Sequence, residues 1–327
     1  MELNLTIVNF STPVQNYIPQ VEERMRDQSD GVHPDLKAAL NHLLKAGGKR
    51  VRPTITLLVG GMFGADLDRS ITLAAAIELL HTATLVHDDM IDGALLRRGM
   101  PTLNSSWTPG ATILTGDFIF ARAAKLAAET DSVEVMTHFA RTLSVIVNGE
   151  ITQMFDSKGL ASRENYFQRI HAKTASLFEL AAMAPIHLMD DPGDIELLDA
   201  MNRYGYEIGM AFQIMDDILD FTSAANQLGK PVASDLRNGL ITLPALCYFE
   251  THPDKDQVLT RLNGHGVNGK EIDQLVESIR NSGVIEQSLG EARDFVTRGL
   301  VALEGMPASV EKEALIELAN YVVERPI

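Results

Sequence analysis

The sequence predicts an all-α protein, one helical domain spanning residues 1–327. Three observations carry that expectation. Long stretches run without glycine or proline and repeat apolar residues at helical spacing. No series of alternating strands joined by Asn-Gly or Asp-Gly turns occurs. The chain-breaking residues fall in clusters between the helical stretches, and none of these is long or biased enough to separate the chain into domains.

In chain order, Gly47-Gly48 opens a basic run, Lys49, Arg50 and Arg52, that Pro53 closes. Residues 70–92 lack glycine and proline. Ile77, Leu80, Leu85 and Ile91 recur among Glu78, His81 and His87, so a long, mostly buried helix is expected. Gly99, Pro101, Pro109 and Gly110 mark a loop, and residues 111–130 read as the next helix. Residues 169–184 and 201–221 continue the pattern, with loops expected at 190–193, 229–231 and 252–269. Gly205 and Gly209 have a small-residue spacing that favours close helix packing. No fixed-period repeat or low-complexity tract is present.

Composition bounds the function. Hydrophobic residues make up 45% and charged residues 22%, which suits a soluble globular chain able to bury a large core without disulfides or structural metal. A lone cysteine, Cys247, cannot form an internal bridge, so a cytoplasmic setting is expected and the thiol reads as a small buried hydrophobe. The start, MELNLTIVNF, lacks the basic opening of a signal peptide. No transmembrane segment is expected, since no apolar run approaches the ~18 residues a span needs; transient contact with a membrane surface stays open. The net charge of −16 argues against nucleic acid as a partner and would repel a diphosphate at long range. Any phosphate site must therefore be local, built from clustered cations and bound metal.

Chemistry shows at two places. Asp88-Asp89-Met90-Ile91-Asp92 and Asp216-Asp217-Ile218-Leu219-Asp220 share the form Asp-Asp-apolar-apolar-Asp. Residues four apart lie one turn apart on one helix face, so Asp88 projects with Asp92 and Asp216 with Asp220. Carboxylates crowded at the end of an apolar helix repel one another unless a cation answers them. An oxygen-only donor set favours a hard ion such as magnesium, which keeps waters and takes substrate phosphate oxygens. Zinc would want histidine or cysteine, and His87 alone does not suffice. A helix-loop-helix calcium hand fails because Gly99 sits at the twelfth position from Asp88. One such cluster would pass as a helix cap; two matching ones are hard to dismiss. Facing each other, they would gather magnesium around one diphosphate and make it a good leaving group.

Cations accompany the acids. Lys49, Arg50 and Arg52 follow a glycine pair, and Arg97-Arg98 follows the first cluster. Arginine forks match phosphate oxygens and lysine adds a point charge. Gly-Gly-Lys-Arg is not a nucleotide-binding P-loop, since it lacks the upstream glycine and the hydroxyl residue after lysine. Lys173-Thr174 lies in an otherwise apolar helix, where lysine can simply snorkel to water. Gln213 stands one turn before Asp216 and equally suits a satisfied core amide.

These pieces together resemble the trans-isoprenyl diphosphate synthases, or polyprenyl synthetases. The matching residues, in the family's order, are Gly47 to Pro53, Glu78 to His81, Asp88 to Asp92, Arg97-Arg98-Gly99 and Gly116-Asp117-Phe118. Lys173-Thr174, Phe212-Gln213, the second aspartate motif, Gly229-Lys230-Pro231 and Asp235-Leu236 follow. The likeness runs from about residue 40 to about 245, and the last stretch matches only as generic helix. It implies a helical bundle around a central cavity, isoprenoid synthase-like, usually a homodimer. It implies Mg2+, three ions per site, held directly by Asp88, Asp92 and Asp216 with Asp89, Asp217 and Asp220 in support. An allylic diphosphate would be gripped through the metals, Arg97, Lys173 and Lys230. Isopentenyl diphosphate would be held by Lys49, Arg52, His81 and Arg98. Thr174 and Gln213 would lie by the developing carbocation, with Lys173, Thr174 and Gln213 as the catalytic set.

One departure matters. Many relatives carry a lysine after Gly239, where this chain has Leu240, which removes one expected diphosphate contact. Product length follows from tunnel geometry: Ala83 and Thr84 stand about one turn before Asp88, where short-chain relatives commonly carry an aromatic residue. Both are small here, so products longer than farnesyl are expected, with Ile119 or Phe120 as deeper stops. The alternatives are a geranylgeranyl diphosphate synthase, a terpene cyclase, and a non-catalytic regulatory subunit of a prenyl synthase. A cyclase would carry a differently spaced second metal motif, and a regulatory subunit would tend to lose aspartates or basic contacts.

Overall fold

The computed structural model describes residues 10–28, 31–45, 47–97, 99–156, 162–191, 195–222, 232–252 and 269–325. The first helices are α1 (Ile18–Asp27), α2 (Pro34–Lys45), α3 (Val51–Phe63), α4 (Leu67–Ile91), α5 (Pro109–Glu129) and α6 (Val133–Asp156). Next come α7 (Arg163–Ile170), a π-helical turn His171–Ala175, α8 (Ser176–Met183), a 3-10 segment Ala184–Leu188 and α9 (Ile195–Thr222). Further helices run over Leu243–Thr251, Gly269–Asn281, Val284–Ala302 and Val310–Val323. The only strands among the described residues are the two-residue pair β1 (Leu96–Arg97) and β2 (Met100–Pro101). The all-α expectation holds.

Two helices form the axis. α4 starts where the Asp66 side chain accepts from the Arg69 amide at 2.8 Å, satisfying one of the open donors of its first turn. It is apolar on nearly all sides and is buried accordingly, packed along α5 and against α3 and α1. Its length and composition would also suffice to cross a membrane, contrary to the sequence expectation. Here 72% of its most apolar window is buried inside the bundle. α9 packs on α8, on the π-turn and on the helices Val284–Ala302 and Val310–Val323. One continuous apolar core joins Val14 near the start to Val322 near the end.

Two glycine contacts draw these helices onto the π-turn. A Cβ at Gly209 of α9 would stand 2.6 Å from the Cα of Ala175, and one at Gly149 of α6 would stand 2.4 Å from the Cβ of Ala172. Real Cβ atoms do not come that close, so only glycine permits the approach. The Gly205–Gly209 spacing thus serves close packing, as expected. Its consequence is positional: the π-turn residues Lys173 and Thr174 are held between α6 on one side and α9 on the other.

Two boundaries differ from expectation. Pro109 and Gly110 belong to the first turn of α5, not to the loop, because Thr108 caps the helix and proline suits a first turn whose amides have no partners. The single helix expected over 169–184 is three elements, with the π-turn between α7 and α8. The loops expected at 229–231 and over most of 252–269 fall outside the described residues, as do Arg98 and Lys230.

Candidate active site

Both aspartate motifs end long helices, and one pair of neighbouring residues ties them together. Lys173 Nζ lies 3.2 Å from Asp88 Oδ2 and 3.1 Å from Glu150 Oε1 of α6. The next residue, Thr174, donates from Oγ1 to Gln213 Oε1 at 2.6 Å. Gln213 Nε2 in turn donates to Asp217 Oδ1 at 2.8 Å. The path Asp88–Lys173–Thr174–Gln213–Asp217 is therefore continuous, and the two carboxylate-bearing helix ends face one site rather than opposite sides of the molecule. The π-turn explains how adjacent residues reach opposite walls: an extra residue in a turn re-aims the side chains around it.

The six aspartates divide by their partners. Asp89 is buried and its Oδ1 accepts from Arg97 Nε and Nη2, each at 2.8 Å. Asp217 is buried and accepts from Gln213 and from the Tyr166 hydroxyl at 2.7 Å. Asp220 accepts from the Ser234 amide and hydroxyl at 3.1 and 2.9 Å and from the Asp235 amide at 3.2 Å. Protein donors thus occupy these three. Asp88 meets the Lys173 ammonium, Asp92 is exposed at the C-cap of α4, and Asp216 is 43% exposed with Arg325 Nη1 2.7 Å from its Oδ1.

Electrostatics follow from this burial. Loss of water raises the Asp88 carboxyl above its ordinary range; Lys173 opposes the shift and Glu150 reinforces it. Burial alone would lower Lys173, but the Asp88 and Glu150 carboxylates outweigh it and hold the ammonium charged. Asp217 is pushed up to about 7 by burial, against the pull of Gln213 and Tyr166. Burial also carries the Tyr166 hydroxyl well above its usual value, so it stays a donor.

The basic run splits in direction. Arg50, in a left-handed backbone conformation (φ 48°), turns back to Glu22 at 3.1 Å and Glu78 at 2.9 Å and fixes the entry to α3. Arg52 is buried over the Phe178 ring at 4.8 Å, and Lys49 is exposed over Tyr321 at 5.3 Å. Both lie close enough for their charge to act on Asp216. His81 lines a small cleft, partly open to solvent, with Arg50, Glu78, Asp89 and Arg97. The cleft thus borders both the basic run and the first aspartate motif.

A profile of the family described as Polyprenyl synthetase matches residues 33–279. The chain belongs to the polyprenyl synthetase family. It is a prenyltransferase. An all-trans-nonaprenyl-diphosphate synthase (geranyl-diphosphate specific) of Rhodobacter capsulatus is 37% identical over 87% of this chain and 87% of its own length. Heptaprenyl diphosphate synthase component 2 of Geobacillus stearothermophilus is 35% identical over 93% and 94% of the two chains. The solved structure of a polyprenyl synthase from Caulobacter crescentus CB15, complexed with calcium and isoprenyl diphosphate, superposes with a TM-score of 0.90. It is 35% identical, with 97% of each chain covered.

Within this polyprenyl synthetase, Ala83 is fully buried in the core, while Thr84 is half-buried one turn before Asp88 on the same face. Ile119 is fully buried, and the Phe120 ring stands 5.3 Å from that of His87. Leu240 is half-buried, and its amide donates to the Asp235 carbonyl at 2.9 Å. Gln213 serves Asp217, four residues on, rather than Asp216. Three members of the site escape a reading of the sequence alone: Glu150, Tyr166 and Arg325. Tyr166 stands seven residues before Lys173, and Gly149 inside a helical stretch is a signal of close packing that points toward Glu150.

Proposed function

We propose that this polyprenyl synthetase condenses isopentenyl diphosphate head-to-tail with an allylic diphosphate to make a trans-polyprenyl diphosphate longer than farnesyl. The observation that carries the proposal is the continuous path from Asp88 through Lys173, Thr174 and Gln213 to Asp217, which gives both aspartate motifs one common site. The names of the nonaprenyl and heptaprenyl relatives support the long product.

The donor set fits magnesium. Asp88, Asp92 and Asp216 offer hard carboxylate oxygens, and Asp92 and Asp216 are exposed. Among the described residues no three His, Cys, Asp or Glu side chains cluster tightly enough to hold an ion unaided. That suits an ion completed by waters and substrate phosphate oxygens. We assign Asp88, Asp92 and Asp216 as direct ligands, with Asp89, Asp217 and Asp220 orienting them, and three ions per site. Bound there, magnesium would neutralise the charge that the departing diphosphate gains.

The chain's own residues do the rest. Lys173, held protonated by Asp88 and Glu150, offers its ammonium to the allylic diphosphate, with Arg97 and Lys230 as further contacts. As the C–O bond breaks, positive charge appears on the allyl group. Gln213 cannot turn its amide away, since Nε2 is committed to Asp217; its Oε1 and Thr174 Oγ1 are therefore fixed beside that charge. The apolar walls keep water from quenching the cation. The double bond of isopentenyl diphosphate, held by Lys49, Arg52, His81 and Arg98, attacks, and the proton leaves to the departed diphosphate. The test is to incubate the purified chain alone with Mg2+, labelled isopentenyl diphosphate and allylic primers. Products longer than farnesyl are expected; absence of any condensation product contradicts the reading and would point to a missing second component.

Product length should respond at Thr84, which shares a helix face with Asp88. Thr84→Phe is expected to shorten the product toward farnesyl, read by chromatography of the dephosphorylated alcohols. Ala83→Phe is the poorer probe, because overpacking a filled core costs about 1–3 kcal/mol on its own. Unaltered length in Thr84→Phe would remove the tunnel from this face.

We also propose a homodimer. Val147, Ile151, Met154 and Phe155 of α6, with Ile113 and Leu114 of α5, are exposed, Phe155 to 76%. A helical face this apolar favours burial against a second copy. Glu150 rises from the same helix between Val147 and Ile151, so assembly would brace the Lys173 contact. Sedimentation should give a dimer, and Ile151→Glu with Phe155→Glu should give a monomer of reduced activity. The single buried Cys247 fits a cytoplasmic enzyme.

A further inference from the structure

We propose that Tyr166 of α7 is a positioning residue for the chemical step: its hydroxyl locks the Asp217 carboxylate, which in turn aims the Gln213 carbonyl oxygen at the developing carbocation. The inference rests on the proposed function and adds to it a residue buried behind the site.

The hydrogen bonds have a direction. Tyr166 is 2% exposed and donates to Asp217 Oδ2 at 2.7 Å. Gln213 Nε2 donates to the other oxygen, Oδ1, at 2.8 Å, and Gln213 Oε1 accepts from Thr174 Oγ1 at 2.6 Å. The end torsions of aspartate and glutamine are soft and roughly two-fold, so neither group holds an orientation by itself. Donors on both oxygens fix the plane of the carboxylate. In its ionised form that carboxylate only accepts, so a reversed Gln213 amide would set Oε1 against Oδ1, acceptor against acceptor. The amide therefore keeps its oxygen on the Thr174 side. Without the hydroxyl, Oδ2 becomes a buried acceptor lacking this donor, the carboxylate is free to turn about its last torsion, and Gln213 loses its fixed reference.

The placement of Tyr166 suits that task. α7 runs directly into the π-turn, so one stretch of chain supplies both outer donors: Tyr166 on Asp217 and Thr174 on Gln213. The Asp217–Gln213 pair of α9 is bracketed between them. Mere satisfaction of a buried carboxylate would need a donor from any element; a bracket from one element also fixes which way the pair points. Tyr166 is held from outside the site in its turn. Arg163 ties the start of α7 to Glu291 at 2.8 Å and to Glu250, on the helices Val284–Ala302 and Leu243–Thr251. Arg169 lies over the Tyr166 ring at 5.5 Å and donates to the Ile241 carbonyl at 2.8 Å, and the Phe167 ring stands 5.3 Å from that of Tyr166. These contacts set the hydroxyl before any substrate arrives, so the orientation of Gln213 is built into the fold.

The test is a double-mutant cycle on the single-turnover rate of the first condensation, with KM values for both substrates in Mg2+. Y166F is expected to lower that rate about 10-fold and to leave both KM values at the wild-type level. In a Q213M background, slower from the outset, the same change is expected to lower the rate by less than about 2-fold. An equal loss in the two backgrounds overturns the proposal and marks Tyr166 as a structural partner of Asp217. A raised KM with an unchanged rate, or no effect at all, overturns it too. Should Y166F not fold, neutron diffraction from wild-type crystals decides. Deuterons of the Tyr166 hydroxyl and of Gln213 Nε2 are expected to point at Asp217, and a Gln213 amide turned the other way overturns the assignment. A wild-type enzyme that makes no prenyl product would instead sink the functional reading itself.

Discussion

Replacing Asp88 by Asn should lower turnover by about 10³-fold or more while leaving the protein folded and as stable as the wild type. The two halves of this result have separate causes. Asp88 is deprived of water and its carboxyl is raised, so the folded state gains little from its charge. Asparagine keeps the shape, and Lys173 retains Glu150 as its counter-ion at 3.1 Å. Catalysis has no such substitute, because a neutral amide cannot neutralise a cation that in turn must offset the leaving diphosphate. Thermal melting and single-turnover kinetics on the same sample check both halves. A variant that loses activity only in proportion to lost folded protein would mean that Asp88 is a structural residue.

Lys173→Gln should also cut turnover, by about 10²-fold, and here stability should fall as well. Removing the ammonium leaves the Asp88 and Glu150 carboxylates facing each other without the charge between them. Breaking a fully buried pair costs several kcal/mol, but the Lys173 side chain is 37% exposed, and solvent screening reduces the loss to about 1 kcal/mol. The deficit should shrink as pH falls, since protonating either carboxyl relieves the repulsion. Melting curves of the variant and wild type across the acidic range check that sign. A deficit that grows on acidification would mean that Lys173 stabilises the fold in some other way. Because Thr174 is the neighbouring residue, the variant should keep the Thr174–Gln213 hydrogen bond, so its product length should be unchanged.

The Asp88 variant acts where the sequence is most explicit. The two Asp-Asp-x-x-Asp motifs, the long buried helices that carry them and the Gly205–Gly209 contact can all be read from residue type and spacing, because each rests on a periodicity internal to one helix. What cannot be read depends on which helix faces which. Proximity along the chain pairs Gln213 with Asp216, whereas its amide reaches Asp217 at the i+4 position. The π-turn at His171–Ala175 has no period of its own, yet it lets Lys173 and Thr174 serve opposite walls. Glu150 and Tyr166 look like ordinary helix residues until α6 and α7 are packed beside that turn. Arg325 sits where the chain resembles nothing beyond a helix, and only the docking of that helix on α3 and α9 brings it to Asp216. Pro109-Gly110 misleads for a local reason: the same pair that breaks a helix interior is well suited to open one behind a Thr108 cap.

The central claim is that both aspartate motifs act on one diphosphate through shared ions. Anomalous diffraction from crystals of the enzyme with Mn2+ and an unreactive allylic thiolodiphosphate tests it most directly. Metal peaks bound to Asp88 and Asp92 and to Asp216, all touching the same diphosphate, are the expected result. Peaks confined to one motif, or a diphosphate lying away from Lys173, would contradict it.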